Sequence, residues 1–77
     1  MNELILLYEK YNNGSYDIAD VSRILSYIAL PDELDEDIEE VEYNIERIRF
    51  LISKQEQKEH VNKILLQLIE KCKKIYR

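Results

Sequence analysis

Glycine and proline occur once each in these 77 residues, cysteine once, and tryptophan not at all. A chain with so few breakers has few turns to make, and a single thiol, Cys72, excludes a disulfide scaffold. The lone cysteine points to a reducing compartment, so a cytoplasmic location is expected. Long apolar runs are also missing. The longest, residues 4–8, is five residues, against the roughly 20 that a transmembrane helix needs. Glu3 stands where a signal peptide would carry positive charge, which argues against a cleavable leader. No Gly-rich phosphate loop, metal-ligand spacing or nucleophile–base pair is present, so neither an enzyme nor a cofactor site is expected.

What is there is apolar and charged in alternation. Hydrophobic residues make up 45% and charged residues 35%, enough apolar material to argue against disorder. A single core in a chain this short supplies only about 3–5 kcal/mol. With no metal cage or disulfide to add to it, the chain is expected to bind another chain, with a homodimer favoured.

Two points punctuate the sequence. Asn12-Asn13-Gly14-Ser15 offers residues that accept the left-handed conformation closing a helix, and Ser15 or Asp17 can cap the next one. At Leu30-Pro31-Asp32 the residue before proline is pushed out of helical geometry, and Asp32 or Asp35 can cap the third helix. Between these points helical periodicity fits throughout and strand alternation nowhere. Helices are predicted at about 2–12, 17–30, 33–52 and 54–76. The first is apolar nearly all round and should be buried from more than one side. In the second, Ile18, Val21, Leu25 and Ile28 share a face. In the third, Leu34, Ile38, Val41, Ile45, Ile48 and Ile52 form a heptad seam. In the fourth, Val61, Leu65, Leu68, Cys72 and Ile75 do so, widened by Ile64 and Ile69. Continuing the third seam past Ile52 would place Gln55, Glu59 and Asn62 in the core, so the phase must be reset. Ser53-Lys54-Gln55-Glu56 matches a capping box, which breaks the helix near Ser53; one continuous helix with a skipped register is the competing reading. The fold is expected to be all-α, a single domain spanning 1–77, built as a small bundle of two antiparallel helical hairpins.

Charge is divided unevenly. Residues 1–46 hold 13 acidic and 2 basic side chains, a net of −11, and residues 47–77 hold 3 and 9, a net of +6. Nine carboxylates and no cation fall within residues 32–46. Helix-dipole complementarity and pairing across an antiparallel hairpin are one reading. The other is that the surplus acid faces a basic partner, because like charges four residues apart, as in Glu36/Glu40, Asp35/Glu39 and Glu42/Glu46, are mildly destabilising. Asp35, Asp37, Glu39 and Glu46 resemble the spacing of a calcium loop, but Glu40 stands where its turn needs glycine, and a regular helix cannot wrap its carboxylates around one ion.

Opposite the third seam lie Tyr43, Arg47, Phe50 and Lys54, and opposite the second lie Tyr16, Arg23 and Tyr27. Aromatic and arginine side chains at such spacing are the residue types that dominate binding hot spots. They form either a second core layer, between the hairpins or across a dimer, or an external partner surface, or rings exposed to solvent under arginine. The residues assigned to partner binding are Glu36, Asp37, Glu39, Glu40, Tyr43, Arg47 and Phe50. His60 is read as a surface histidine and Cys72 as a core thiol, with a dimer cross-link the alternative. Lys63, Lys71, Lys73, Lys74, Tyr76 and Arg77 are the one argument for nucleic acid, opposed by the acidic run and a pI of about 4.8; nucleic acid is not expected as a partner.

The stretch Leu6-Leu7-Tyr8-Glu9-Lys10-Tyr11-Asn12-Asn13-Gly14-Ser15-Tyr16-Asp17-Ile18 resembles the opening of small helical bacterial immunity proteins of the colicin-immunity type, in which a leucine- and tyrosine-bearing helix end with a glycine precedes a second helix. Ile45-Glu46-Arg47-Ile48-Arg49-Phe50 followed by Glu56-Gln57 is similar to their later part, and the resemblance covers about half of the chain. It implies tight, acidic binding to a toxin. Two functions are expected from these readings: an immunity- or antitoxin-type inhibitor that covers a basic protein, or a phage- or plasmid-borne homo-oligomeric structural or regulatory protein packing through the apolar faces of helices 1 and 4.

Overall fold

Gly14, at φ 88°, ends the first helix as the residue type predicts. The amide of Ser15 donates to the Lys10 carbonyl (2.9 Å) and that of Gly14 to Tyr11 (3.4 Å), the paired bonds of a Schellman ending. The computed structural model describes residues 2–75 and holds four helices: α1 (Asn2–Asn12), α2 (Ile18–Leu25), α3 (Asp35–Leu51) and α4 (Lys54–Ile75), with a 3₁₀ turn at Asp32–Leu34. The all-α expectation holds. Each helix packs chiefly on two others, α1 on α2 and α4, and α3 on α2 and α4, so the two hairpins close into a four-sided bundle. At about 1.5 Å per residue, the 22 residues of α4 account for most of the 36 Å long axis.

Asp17, rather than Ser15, caps α2. Its carboxylate accepts from the Asp20 amide (2.9 Å) while the Asp20 carboxylate accepts from the Asp17 amide (3.1 Å). The helix then stops at Leu25, well short of the predicted 30. The amides of Ser26 and Tyr27 donate to Arg23 and Ile24, three residues back, and the tightened turn cannot propagate. The Ile28 amide still donates to Ile24 (3.1 Å), and beyond the turn Ile28 and Leu30 are half-buried with Ala29 exposed between them. Two apolar side chains thus pack on the core from an irregular segment, and Ile28 keeps the seam that helical spacing assigned to it. Neither Asp32 nor Asp35 caps α3, which starts without a side-chain cap; the 3₁₀ turn leads into it instead.

α3 and α4 are separate. Ile52 is extended (φ −109°, ψ 139°), and the break at residues 52–53 resets the phase. The Ser53 carbonyl accepts from the amides of Glu56 and Gln57, both at 3.0 Å. Gln57, not Glu56, reaches back, donating from Nε2 to the carbonyls of Ile52 (2.9 Å) and Arg49 (3.3 Å) and so satisfying the open end of α3.

The seams meet in one core. Leu4, Leu7 and Tyr11 of α1, Val21 and Leu25 of α2, Val41, Ile45 and Ile48 of α3, and Val61, Leu65, Leu68, Ile69 and Cys72 of α4 are buried. Ile75 is exposed and ends its seam in solvent, and α1 is less enclosed than its composition implied, since Leu6 is exposed. Asn62, the polar residue that would have spoiled a continuous seam, is half-buried against Asn12 of α1. The two amides pair reciprocally, each donating from Nδ2 to the other's Oδ1 (2.7 and 2.8 Å). Lys58 donates to the Asn12 carbonyl at 2.7 Å.

Candidate functional site

α3 is held on one side by the buried positions Val41, Ile45 and Ile48, so the residues half a turn away are forced outward. With about 3.6 residues per turn, Glu36, Glu40, Tyr43, Arg47 and Phe50 fall on one outward stripe, with Glu39 on its flank. All six are exposed. Tyr43 is 63% exposed and Phe50 72%, so the stripe is not a second core layer inside the chain, and that expectation is corrected. The Arg47 guanidinium stands 5.9 Å from the Tyr43 ring centre and that of Arg49 5.5 Å from Phe50, within cation–π reach. Tyr27, opposite the α2 seam, is exposed as well.

The structure divides the predicted partner-binding residues. Asp37 lies apart from the others, on the side of α3 that faces α4, where it pairs with the Lys71 ammonium. That bond holds the lysine's pKa above its ordinary value, Coulombic attraction to Asp37 and Glu40 adding to it. Glu36, Glu39 and Glu40 make no ion pair among the described residues. Hairpin geometry accounts for Asp37: it is sixteen residues before Ser53 and Lys71 eighteen after, so an antiparallel turn at Ser53 brings them side by side. Pairing across the hairpin therefore takes one acid of the set and leaves three.

Two features of this surface were missed. Leu51 is 72% exposed and extends the apolar end of the stripe beside Phe50, four residues beyond Arg47. The signal was present, because Leu51 falls off the heptad seam. Next to it, Asn44, Arg47, Ile48, Leu51, Ile52, His60 and Ile64 line a shallow groove of about 230 Å³ between α3 and α4. His60 is on its rim and exposed. Only knowledge of the α3–α4 packing could have placed His60 there.

The apolar faces of α1 and α4, expected to pack across a symmetry axis, are largely used inside the bundle; Leu6, Leu66 and Ile75 remain exposed. Cys72 is wholly buried, and burial pushes its thiol pKa up, so it is a core residue and out of position for a cross-link. Among the described residues no group of three or more His, Cys, Asp or Glu side chains is placed to hold a metal ion, and no helix is long and apolar enough to cross a membrane. The chemistry available on the α3 stripe is non-covalent: carboxylates at one end, aromatic, aliphatic and guanidinium groups at the other. No family model, curated protein or solved structure matches this chain.

Proposed function

We propose that the outward face of α3 is a docking surface for another protein carrying a basic patch, and that the chain acts as an inhibitor of the immunity or antitoxin type. The observation that carries this reading is the pairing of unneutralised acid with exposed apolar groups on one rigid helix. Glu36, Glu39 and Glu40 make no ion pair among the described residues, although Lys71 attracts Glu40 from a longer distance, and Tyr43, Phe50 and Leu51 stand exposed beside them. Carboxylates in such a place speed encounter with a cationic surface, while aromatic rings that are then desolvated supply residence time. The helix is already fixed by its buried seam, so little ordering cost attaches to docking. The resemblance of the α1–α2 segment to colicin-immunity proteins agrees with an acidic inhibitor of a toxin.

The test is capture of partners from the source cells on the immobilised chain, in parallel with a Tyr43→Ala/Phe50→Ala variant. The expected result is a basic protein retained by the parent chain, lost from the variant, and released progressively between ~50 and ~500 mM salt as surface charges are screened. A partner held equally by the variant, or binding that salt leaves unchanged, would refute the assignment.

A further inference from the structure

The outward stripe of α3 has a polarity that a partner of uniform charge would not require. Along the centre of the stripe Glu36 and Glu40 precede Tyr43 and Arg47 comes after it, while Glu39 and Glu46 both lie on its flank. A stripe negative at one end and positive at the other is complementary to its own reverse. We propose that a second copy of this chain occupies this face, docked antiparallel through α3 about a two-fold axis near Tyr43, so that the surface is held closed until a stronger partner displaces the copy. The proposal rests on the reading of this face as a docking surface and specifies how it is regulated.

Geometry favours one pairing. Glu40 and Arg47 are seven residues apart, nearly two full turns, so they point the same way while about 10 Å separates them along the axis. Within one chain they make no ion pair. In an antiparallel pair of α3 helices Glu40 of each copy lies opposite Arg47 of the other, on the same side of the contact line, and two-fold symmetry makes the contact twice. In the same register Tyr43 lies near the centre. Tyr43, Phe50 and Leu51 each leave about two-thirds of their surface outside. At roughly 100 Å² apiece, six such side chains cover about 600 Å² of apolar area, short of the ~1,200–2,000 Å² total of a stable interface. The pair is therefore weak and reversible, as a displaceable cover must be. The other exposed apolar patch of comparable reach, around Leu66 on α4, is ringed by Lys63, Lys71 and Lys74 with Glu70 alone opposing them, and it would meet its own copy with like charge.

The experiment is sedimentation equilibrium on the parent chain, Glu40→Arg, Arg47→Glu and the double swap, with circular dichroism to show that each keeps its helices. The parent chain should dimerise reversibly in the micromolar to high-micromolar range. Each single swap turns two attractions into two repulsions and should weaken the dimer about tenfold or more. The double swap, which restores both pairs with their signs exchanged, should recover it to within a few-fold. A parent chain monomeric up to ~1 mM, or a double swap no better than the singles, overturns the dimer. The two readings separate cleanly. A chain that never dimerises yet captures a basic protein through Tyr43 and Phe50 loses only this proposal. In the double swap the dimer returns while capture of a basic partner does not.

Discussion

Removing the Asn62 side chain tests how the first helix is fastened to the last. Asn12 and Asn62 exchange two amide hydrogen bonds at 2.7 and 2.8 Å, and they are the only side chains that hydrogen-bond to one another between α1 and α4 among the described residues. A neutral bond contributes about 1 kcal/mol net, so Asn62→Ala forfeits about 2 kcal/mol. Alanine recovers roughly 0.6 kcal/mol of helix propensity within α4, which leaves a loss of about 1.5 kcal/mol. Against the roughly 3–5 kcal/mol available to so small a core, that is a third or more of the stability. Asn12→Ala should cost about 1 kcal/mol more, because it also removes the bond from Nδ2 to the Tyr8 carbonyl (2.8 Å), while the Lys58 contact to the Asn12 backbone carbonyl (2.7 Å) survives it. The double variant should be little worse than Asn12→Ala alone, a coupling of ~1–2 kcal/mol. Urea unfolding followed by circular dichroism reads all four chains, with a midpoint drop of ~1 M for Asn62→Ala and a larger one for Asn12→Ala at the slope of a small domain. Effects that simply add, with coupling below about 0.3 kcal/mol, would refute the reciprocal pair.

Gly14→Ala meets nothing within 4 Å but keeps φ at 88°, so it should lower stability by about 1 kcal/mol through backbone strain alone, and a denaturation midpoint unchanged from the parent would count against the left-handed ending. The Asp20 pKa is lowered, first by the hydrogen bond from the Asp17 amide and then by that from Arg23; its contribution is fully present above the ordinary carboxylate value and disappears as pH falls through the depressed folded value. Stability measured from neutral pH downward should therefore fall less steeply in Asp20→Asn than in the parent, and identical profiles would remove Asp20 from the account. Cys72 should resist a thiol reagent in the native chain and react at the rate of free cysteine in urea, since it is buried; rapid native labelling would show the α4 seam to be open. Tyr43→Ala and Phe50→Ala, both at exposed positions, should each shift stability by less than ~0.5 kcal/mol, and a larger loss in the denaturation midpoint would mean that the rings pack on the chain itself.

How much of this was legible in the sequence varied with the range of the interaction. The seam of α3 was readable because every one of its positions answers to the same 3.6-residue period, and Val41, Ile45 and Ile48 are buried as that period requires. The break after Ile52 was readable for the opposite reason, because the period could not continue without burying Glu59. The atoms that secure the break were not readable: a capping box and a glutamine reaching back from Gln57 both place a polar side chain three to five residues from the helix end. The early end of α2 was hidden because Ile28 packs on the core as the helical pattern requires although the helix has already ended. Asp37 was misgrouped with the outward acids because a helix face is defined locally, whereas its partner Lys71 is set by where the chain turns.

The acids of α3 are the residues that the fold explains least. A helix dipole acts over its first turn, which accounts for Asp35, Glu36 and Asp37 and for Asp32 and Glu33 in the turn before them. Asp37 has its lysine as well. Glu39, Glu40 and Glu46 lie beyond the reach of the dipole and make no ion pair among the described residues, Glu40 having only the longer-range pull of Lys71; Glu42 has only the Ser26 hydroxyl, 3.4 Å away. Glu42 and Glu46 repel at four-residue spacing, as do Glu36 and Glu40. In the isolated chain this charge therefore costs stability that a small core can ill spare. Cations delivered from outside, whether by Arg47 of a second copy or by another protein, would relieve the repulsion and stabilise the helix they touch. Binding and folding free energy are then linked through the same carboxylates.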